Sequence, residues 1–231
     1  IKICLSRGFN IINIDDLKYA ANKEQLKYFK KEKNYLFYKL NIKNKNQIIK
    51  ILKKNKIYRI VNFAAESHVD NSINQPKYFY ENNLMCFVDF IEALKVYYRD
   101  LNKIKKKIFR FIHISTDEVY GSLEMNGKPF RENSLLKPNN PYSSSKAACE
   151  LVLRSFFNTY KLPYIITNCS NNYGKFQNDE KLIPTIFRNA IKNKDIPIYG
   201  KGKNIRDWIF VDDHCEAILK ILKSGANGQK Y

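Results

Sequence analysis

Histidine is scarce in this sequence, and long apolar runs are missing from it. The 231 residues include three histidines, His68, His113 and His214, and no two of them have the spacing of a metal site. No stretch approaches the roughly 18 uninterrupted apolar residues of a membrane span. Residues 1–5 do not have the pattern of a signal peptide. The sequence therefore predicts no bound metal and no membrane partner.

Paired cysteines are missing as well. The five cysteines lie far apart, form no C-x-x-C motif and are odd in number. This usage excludes a disulfide scaffold and indicates reduced thiols in a cytosol-like compartment. We therefore expect a cytoplasmic protein.

Acidic residues are few relative to basic ones. The chain has 41 Lys and Arg against 22 Asp and Glu, which gives a net charge of +19. Such an excess is typical of proteins that neutralise nucleic-acid phosphates. Most of these residues are lysines scattered over the whole length, and lysine is the weaker residue for bidentate recognition. We predict no specific nucleic-acid partner, and a steep salt dependence of RNA or DNA binding would contradict this.

Short apolar segments alternate with longer amphipathic ones, which predicts an α/β fold with a doubly wound parallel sheet. The predicted strands cover residues 11–14, 35–38, 59–64, 109–115 and 164–168. The predicted helices cover residues 23–33, 45–55, 76–100 and 141–160, with a shorter helix around residues 183–192.

Both ends of the sequence have the pattern of interrupted elements. Residues 1–5, followed by Gly8, are typical of a last helical turn with a glycine C-cap. The next strand ends in Asp15, where dinucleotide-binding folds place an acid against a ribose. Because no G-x-G-x-x-G precedes it, we expect a sheet without its first strand and glycine-rich loop. Residues 228–231 lead towards a strand that we expect to be missing, so we predict truncation at both ends.

Tyr142 and Lys146 are four residues apart on a predicted helix and therefore project from one face. A cation at Lys146 favours the phenolate and lowers the pKa of Tyr142, which would let it act as a base. An isolated Y-x-x-x-K is more often a surface pair. The strand 109–115 favours the functional interpretation, because it ends in Ser115 and Thr116 at the edge where open α/β sheets bind ligands.

Several polar segments have two interpretations. Asp117 and Glu118 are either the acid and base that remove water from a sugar or the start of a solvated loop. Residues 64–67 form either a close approach to a cofactor or a tight strand-to-helix connection. Residues 168–174 are either a turn cluster or amides that face a ligand. Arg206 either binds a diphosphate or forms a structural ion pair.

Six sequence runs together resemble the extended short-chain dehydrogenase/reductase family, in its branch of nucleotide-sugar dehydratases. The runs are AAESHVD at 64–70, STDEVYG at 115–121, PYSSSK at 141–146, residues 167–174, KLIP at 181–184 and PIYG at 197–200. The resemblance covers residue 11 to the end. It implies a Rossmann-like NAD-binding domain over residues 1–172 and a partial substrate-binding region over residues 173–231, some of whose segments return to the main sheet. It also implies a homodimer formed through helices 76–100 and 141–160.

The implied reaction converts dTDP-glucose to dTDP-4-keto-6-deoxyglucose and water with NAD as cofactor. Tyr142, aided by Lys146 and Thr116, takes the 4-hydroxyl proton while hydride passes from C4 to NAD. Glu118 then removes the C5 proton, and Asp117 protonates the departing 6-hydroxyl before the hydride returns to C6.

The resemblance also implies two sets of binding residues. The cofactor set is Asp15, Asp16, Leu17, Lys18, Asn41, Ile42, Phe63, Ala64, Ala65, Glu66, Ser67, Asn82, Tyr142, Lys146 and Asn172. The substrate set is Ser67, Thr116, Asn171, Lys181, Leu182, Ile183, Pro184, Thr185, Ile186, Pro197, Ile198, Tyr199 and Arg206.

The sequence departs from the family pattern in three places. Asn41 stands where these proteins usually have Asp, and Asn82 where they have Thr. The missing glycine-rich loop removes the backbone N–H groups that hold a pyrophosphate, so we expect this chain to bind NAD poorly and to turn over little. A UDP-sugar 4,6-dehydratase, an epimerase of the same family and a non-catalytic relative remain alternatives.

Overall fold

A computed structural model describes residues 1–198 and 201–231 of the chain. Its helices and strands in chain order are α1 (Lys2–Ser6), β1 (Ile11–Asp15), α2 (Lys23–Phe29), β2 (Tyr35–Lys39), α3 (Lys45–Lys54), β3 (Arg59–Asn62), α4 (Val69–Asn74), α5 (Pro76–Phe79), α6 (Cys86–Arg99), α7 (Lys103–Ile108), β4 (Arg110–Thr116), α8 (Pro141–Tyr160), β5 (Ile165–Cys169), β6 (Asn171–Tyr173), α9 (Leu182–Ile191), β7 (Trp208–Phe210), α10 (Val211–Ser224) and β8 (Gln229–Lys230). A π-helical segment, Tyr80–Met85, joins α5 to α6, and a 3-10 turn, Asp117–Tyr120, follows β4.

The chain forms two compact units. The first contains residues 1–39 and 170–217, and the second contains residues 40–169 and 218–231. The two units are defined by contacts between residues. The predicted boundary after residue 172 instead separates an NAD-binding region from a substrate-binding region. That boundary stays a prediction.

The first unit contains two parallel strand pairs. β1 pairs with β2 from Ile11 opposite Tyr35 onwards, and β6 pairs with β7. The predicted helical turn at the start of the chain is confirmed as α1. Gly8 follows it with φ of +75°, the left-handed conformation of a C-terminal glycine.

The second unit is built on a four-stranded parallel sheet in the order β3-β4-β5-β8. β4 is buried along nearly its whole length, because both of its faces are covered by other elements. Ile112 and Ile114 of β4 pack with Ile165 of β5 and Ile218 of α10 in one core cluster. This buried sheet fixes the strand ends at which the polar residues lie.

α8 begins and ends where the sequence predicts. Its N-cap is Asn140, whose side-chain oxygen accepts the Ser143 N–H at 2.8 Å, while the Ser143 hydroxyl accepts the Asn140 N–H at 3.2 Å. This capping box satisfies two backbone donors of the first turn. Pro141 at the first helical position needs no partner there.

The predicted helix over residues 76–100 is confirmed, but its middle is π-helical. The π-helical segment interrupts it, and its residue Asn83 is 3% exposed. Asn83 Oδ1 accepts the Glu66 N–H at 2.7 Å, and its Nδ2 donates to the Glu66 carbonyl at 2.9 Å. The wider turn presents an amide that satisfies both backbone groups of a buried loop residue. Such local hydrogen bonding cannot be read from hydrophobic periodicity.

The expectation of a missing C-terminal strand is also wrong. Gln229 and Lys230 form β8, which pairs in parallel with Ile165 and Ile166 of β5. The Tyr231 N–H donates to the Ile166 carbonyl at 3.0 Å. Two residues are too few for a recognisable alternation, so the strand depends on the edge of β5.

Among the described residues, no helix combines the length and the hydropathy needed to cross a lipid bilayer.

Candidate active site

The carboxyl ends of β3, β4 and β5 carry the polar residues of the second unit. Parallel strands end at the same edge of a sheet, which is where open α/β sheets bind their ligands. Thr116 is the last residue of β4, and the 3-10 turn starts directly after it. The Thr116 hydroxyl accepts the Glu118 N–H at 3.2 Å and donates to Asp117 Oδ1 at 3.2 Å. One threonine thus positions both carboxylate residues.

The first turn of α8 brings Tyr142 to the same place. Its phenol shares a side-chain hydrogen bond with Thr116. The N-cap residue Asn140 donates from Nδ2 to Glu118 Oε2 at 3.2 Å. Four of the five predicted catalytic residues are therefore close together, and Asn140, which the sequence analysis missed, orients one of them. The dipeptide Asn-Pro at a helix start is the signal that would have pointed to it.

The predicted pKa of Tyr142 is wrong in this structure. Burial of the phenol raises its pKa, and the nearby carboxylate of Glu118 raises it further, while the hydrogen bond with Thr116 lowers it. The argument from spacing considered only the Lys146 cation. It could not include the desolvation of the phenol or a carboxylate that the fold brings from another element.

Lys146 is 3% exposed and lies against β4. Its Nζ donates to the Ile114 carbonyl at 2.6 Å and lies 3.2 Å from His113 Nε2. Burial lowers the pKa of Lys146 because the charged form loses its hydration. The sequence analysis did not assign His113, although a histidine in the middle of an apolar strand was a visible signal.

Glu150 is a second buried group that the sequence analysis missed. Glu150 Oε1 accepts from Ser115 Oγ at 2.5 Å and from Asn168 Nδ2 at 2.8 Å. Its Oε2 lies 2.6 Å from Lys230 Nζ. The same Asn168 amide donates to the Thr116 carbonyl at 2.9 Å. The network fixes the end of β4, and an acid on the inner face of α8 was the sequence signal for it.

The second unit also holds most of the predicted cofactor residues. Phe63, Ala64 and Ser67 are exposed just beyond β3, whereas Glu66 is buried. The side chains of Ala64 and Ser67 are small, so they occupy little space at this strand end. Asn82 donates from Nδ2 to Asn83 Oδ1 at 3.1 Å. Asn41, which follows β2 and precedes Ile42, accepts the Lys43 N–H at 3.0 Å.

The remaining cofactor residues lie in the first unit. Asp15 ends β1, and its Oδ1 accepts the Leu17 N–H at 2.7 Å. Leu17 has φ of +54°, which tightens the turn that carries Asp16 and Lys18. Asn172 Oδ1 lies 2.7 Å from His214 Nδ1.

The first unit contains most of the predicted substrate residues, on three segments. Asn171 begins β6, and its N–H donates to the Asp207 carbonyl at 3.2 Å. Residues 181–186 start α9, where Leu182, Ile183 and Ile186 are exposed. Pro197, Ile198 and Arg206 are exposed, and Tyr199 lies outside the described residues. Arg206 donates to the carbonyl of its neighbour Ile205 at 2.7 Å. The binding roles of all these residues stay predictions.

A protein-family model described as GDP-mannose 4,6 dehydratase matches residues 1–231. The chain belongs to this family. One curated relative, dTDP-glucose 4,6-dehydratase of Xanthomonas campestris, is 43% identical to this family member over 98% of the chain. The enzyme of the same name from Haemophilus influenzae is 45% identical over 96% of the chain. The chain spans 64% and 65% of the length of these two relatives.

Solved structures of family members agree with the fold. A dTDP-glucose 4,6-dehydratase of Bacillus anthracis in complex with NAD is 40% identical, with a TM-score of 0.88 over 100% of the chain and 69% of the other protein. The enzyme of that name from Streptomyces venezuelae, with NAD and TYD bound, is 35% identical with a TM-score of 0.90 over 100% of the chain and 70% of the other. The predicted Rossmann-like α/β fold is thus confirmed.

Proposed function

We propose that this protein acts as an NAD-dependent dTDP-glucose 4,6-dehydratase, a hydro-lyase. The observation that carries the proposal is the threonine-centred cluster. Thr116 contacts the side chain of Asp117, the backbone of Glu118 and the phenol of Tyr142. Elimination of water needs a base and an acid beside the group that handles the sugar hydroxyl, and the relatives named for this reaction support the same assignment.

The residues of the chain fit NAD in chemistry. Asp15 ends β1 with a carboxylate that can accept hydrogen bonds from ribose hydroxyls. The exposed Ala64 leaves space at the end of β3. Tyr142 and Lys146, both in the second unit, offer a hydroxyl and an amine to the cofactor. NAD, when bound, supplies a hydride acceptor and donor.

The protein side chains would then manage the protons. Tyr142 Oη takes the proton of the sugar 4-hydroxyl, with Thr116 as its hydrogen-bond partner. A carboxylate oxygen of Glu118 takes the C5 proton. Asp117 gives its proton to the 6-hydroxyl, which leaves as water. Asn140 holds Glu118 through Oε2, which leaves Oε1 as the basic atom.

Mass spectrometry of dTDP-glucose incubated with NAD tests this function. The chain should be compared with a version extended at its amino terminus by the corresponding segment of the Haemophilus influenzae relative. We expect loss of one water from the substrate with the extended version, and none when it carries Tyr142→Phe. Tyr28→Phe, at an exposed tyrosine of α2, is the matched control. No loss from dTDP-glucose but loss from UDP-glucose would replace the proposed substrate, and no loss from either would reject the enzyme.

We also propose a homodimer, formed by the helices on one side of the second unit. The exposed apolar side chains Tyr78 and Met85 lie on α5 and the π-helical segment, and Leu151 and Tyr160 lie on α8. Apolar residues on neighbouring helices are typical of a helix-bundle interface. Sedimentation analysis should give twice the chain mass, and Leu151→Glu should give a monomer. Leu135→Glu, at another exposed leucine, should leave the dimer intact. We also propose a cytoplasmic location, because the five cysteines are unpaired.

A further inference from the structure

Three buried polar side chains form a continuous row behind the candidate active site. Asn62 ends β3, His113 lies opposite it on β4, and Lys146 comes from α8. Their exposed fractions are 5%, 1% and 3%. The Phe87 ring covers His113 with its centroid 4.5 Å from that of the imidazole. Because water is excluded, each polar atom of the row must be satisfied by its neighbours.

The backbone fixes the orientation of the Asn62 amide. Asn62 Oδ1 accepts the Ala64 N–H at 3.2 Å, so the amide nitrogen is the atom that faces His113. Asn62 Nδ2 lies 3.2 Å from His113 Nδ1. An amide nitrogen can only donate, so Nδ1 is the acceptor and carries no hydrogen. The single hydrogen of the neutral imidazole is therefore on Nε2.

The second imidazole nitrogen faces Lys146. His113 Nε2 lies 3.2 Å from Lys146 Nζ, which also donates to the Ile114 carbonyl. An ammonium has three donors and no lone pair, so it cannot accept the Nε2 hydrogen. A neutral amine can accept it and still donate to the carbonyl. Beside this tautomer, an uncharged Lys146 satisfies both contacts of its nitrogen.

The surroundings favour two neutral groups. Burial lowers the pKa of Lys146, and burial together with Lys146 holds the pKa of His113 well below its usual range. The other titratable groups near Lys146 are Cys149 and Glu150 of α8 and Cys169 of β5. These three favour a charged lysine, but desolvation outweighs them.

We propose that His113, held by Asn62, is a positioning residue that keeps Lys146 uncharged and couples its protonation to the Ala64 backbone. Charging Lys146 takes up one proton in all. The Nε2 hydrogen passes to Nζ, and Nδ1 gains a hydrogen from solvent. Asn62 must then turn Oδ1 towards Nδ1, which releases the Ala64 N–H. Ala64 is among the predicted cofactor residues, so a ligand that takes its N–H would favour the cationic lysine.

The catalytic consequence rests on the proposed function. A cation at Lys146 favours the Tyr142 phenolate, whereas the neutral amine does not. The row would therefore keep Tyr142 protonated until the loop beyond β3 is engaged. The positioning role of His113 itself concerns proton placement and can be measured without turnover.

Nitrogen-15 NMR of the histidine rings tests the proposal directly. With three histidines in the chain, His113→Gln assigns the signal. We expect the Nε2–H tautomer at His113, neutral from about pH 8 to about pH 5. The Nδ1–H tautomer, or an ordinary titration near pH 6.5, would overturn the proposal.

Asn62→Asp provides the second arm. A carboxylate only accepts, so Nδ1 must become the donor and Nε2 the acceptor, and Lys146 is expected to be charged. In the extended enzyme the acidic limb of the kcat profile should move to lower pH by about one unit. Asn74→Asp adds the same charge at an exposed position and should change neither readout. A tautomer switch without turnover would leave the positioning role intact and reject the proposed function. Turnover without a tautomer switch would support the proposed function and reject the positioning role.

Discussion

At the scale of single residues, the candidate active site depends on side chains that restrain one another. Thr116 positions Asp117 and Glu118, and Asn140 leaves one oxygen of Glu118 available. Preorganised groups of this kind lower the barrier because they need no reorientation during reaction. Each residue should therefore affect a particular step.

Glu118→Gln should separate the oxidation of the sugar from the loss of water. The amide oxygen can still accept from Asn140 Nδ2, but an amide cannot take the C5 proton. We expect dehydration to fall by about 10²–10⁴-fold, the usual effect of a general base. Reduced cofactor should still form on mixing, because the C4 step does not require this carboxylate. Absorbance and mass spectrometry follow the two steps separately.

Glu124→Gln, in the exposed loop that follows, is the matched control and should keep full activity. An unchanged dehydration rate in Glu118→Gln would exclude this residue as the base.

At the scale of elements, the 3-10 turn after β4 ends at a glycine that accepts no side chain. Gly121 has φ of +91° and ψ of −151°, a region that only glycine occupies readily. A Cβ at this position would overlap the Lys137 carbonyl. The turn that holds Asp117 and Glu118 thus depends on the absence of one methyl group.

Gly121→Ala should lower the free energy of unfolding by about 3 kcal/mol, from about 1–3 kcal/mol of backbone strain plus overpacking. Gly8→Ala is the control, since Gly8 also has positive φ, at +75°, but its Cβ would meet nothing within 4 Å. It should cost only about 1 kcal/mol. If urea unfolding gives the same loss of free energy for both variants, the structure relieves the overlap in Gly121→Ala.

The strand β8 is the second element with a specific anchor. Lys230 pairs with Glu150, whose side chain is 3% exposed, and the Lys230 Nζ lies 5.1 Å from the centre of the Tyr120 ring. A buried carboxylate that loses its partner carries a large desolvation cost.

Lys230→Met should lower the free energy of unfolding by about 3–5 kcal/mol, because Glu150 would stay buried without its cation. Lys223→Met, on the exposed side of α10, should change it by less than about 0.5 kcal/mol. The double variant Lys230→Met with Glu150→Gln should recover most of the loss. If the single variant is as stable as the control, the pair contributes nothing to folding.

At the scale of the whole molecule, two buried histidines determine how acid affects stability. The pKa of His113 lies well below its usual range and that of His214 is also lowered, in both cases mainly through burial. Below about pH 6.5 the unfolded chain binds protons at these residues, while the folded chain does not. The contribution of these two histidines to stability is therefore fully present above that pH and is lost as the pH falls towards their folded pKa values.

Unfolding experiments from about pH 7 to pH 5 should show a loss of up to about 1.4 kcal/mol per pH unit from His113, and a smaller loss from His214. His214→Asn should reduce the slope. A slope that is zero in the native chain, or unchanged in the variant, would contradict this account.

The sequence by itself determined the class of fold and predicted the candidate reactive side chains. Alternating apolar segments predict the parallel sheet, and the predicted helix over residues 141–160 coincides with α8. These features are local, because a strand, a helix or a Tyr and Lys one helical turn apart is defined by neighbours in the chain. The family runs at residues 64–70 and 115–121 likewise need no fold to be recognised.

Only the tertiary structure decided the electrostatics of the site. The pKa of Tyr142 rises instead of falling, because burial and Glu118 act on it across elements. The row from Asn62 through His113 to Lys146 joins two strands and a helix. β8 and the π-helical segment have the same origin, since each forms through hydrogen bonds to a distant part of the chain. Desolvation and long-range hydrogen bonds depend on which residues meet, and that is a property of the fold.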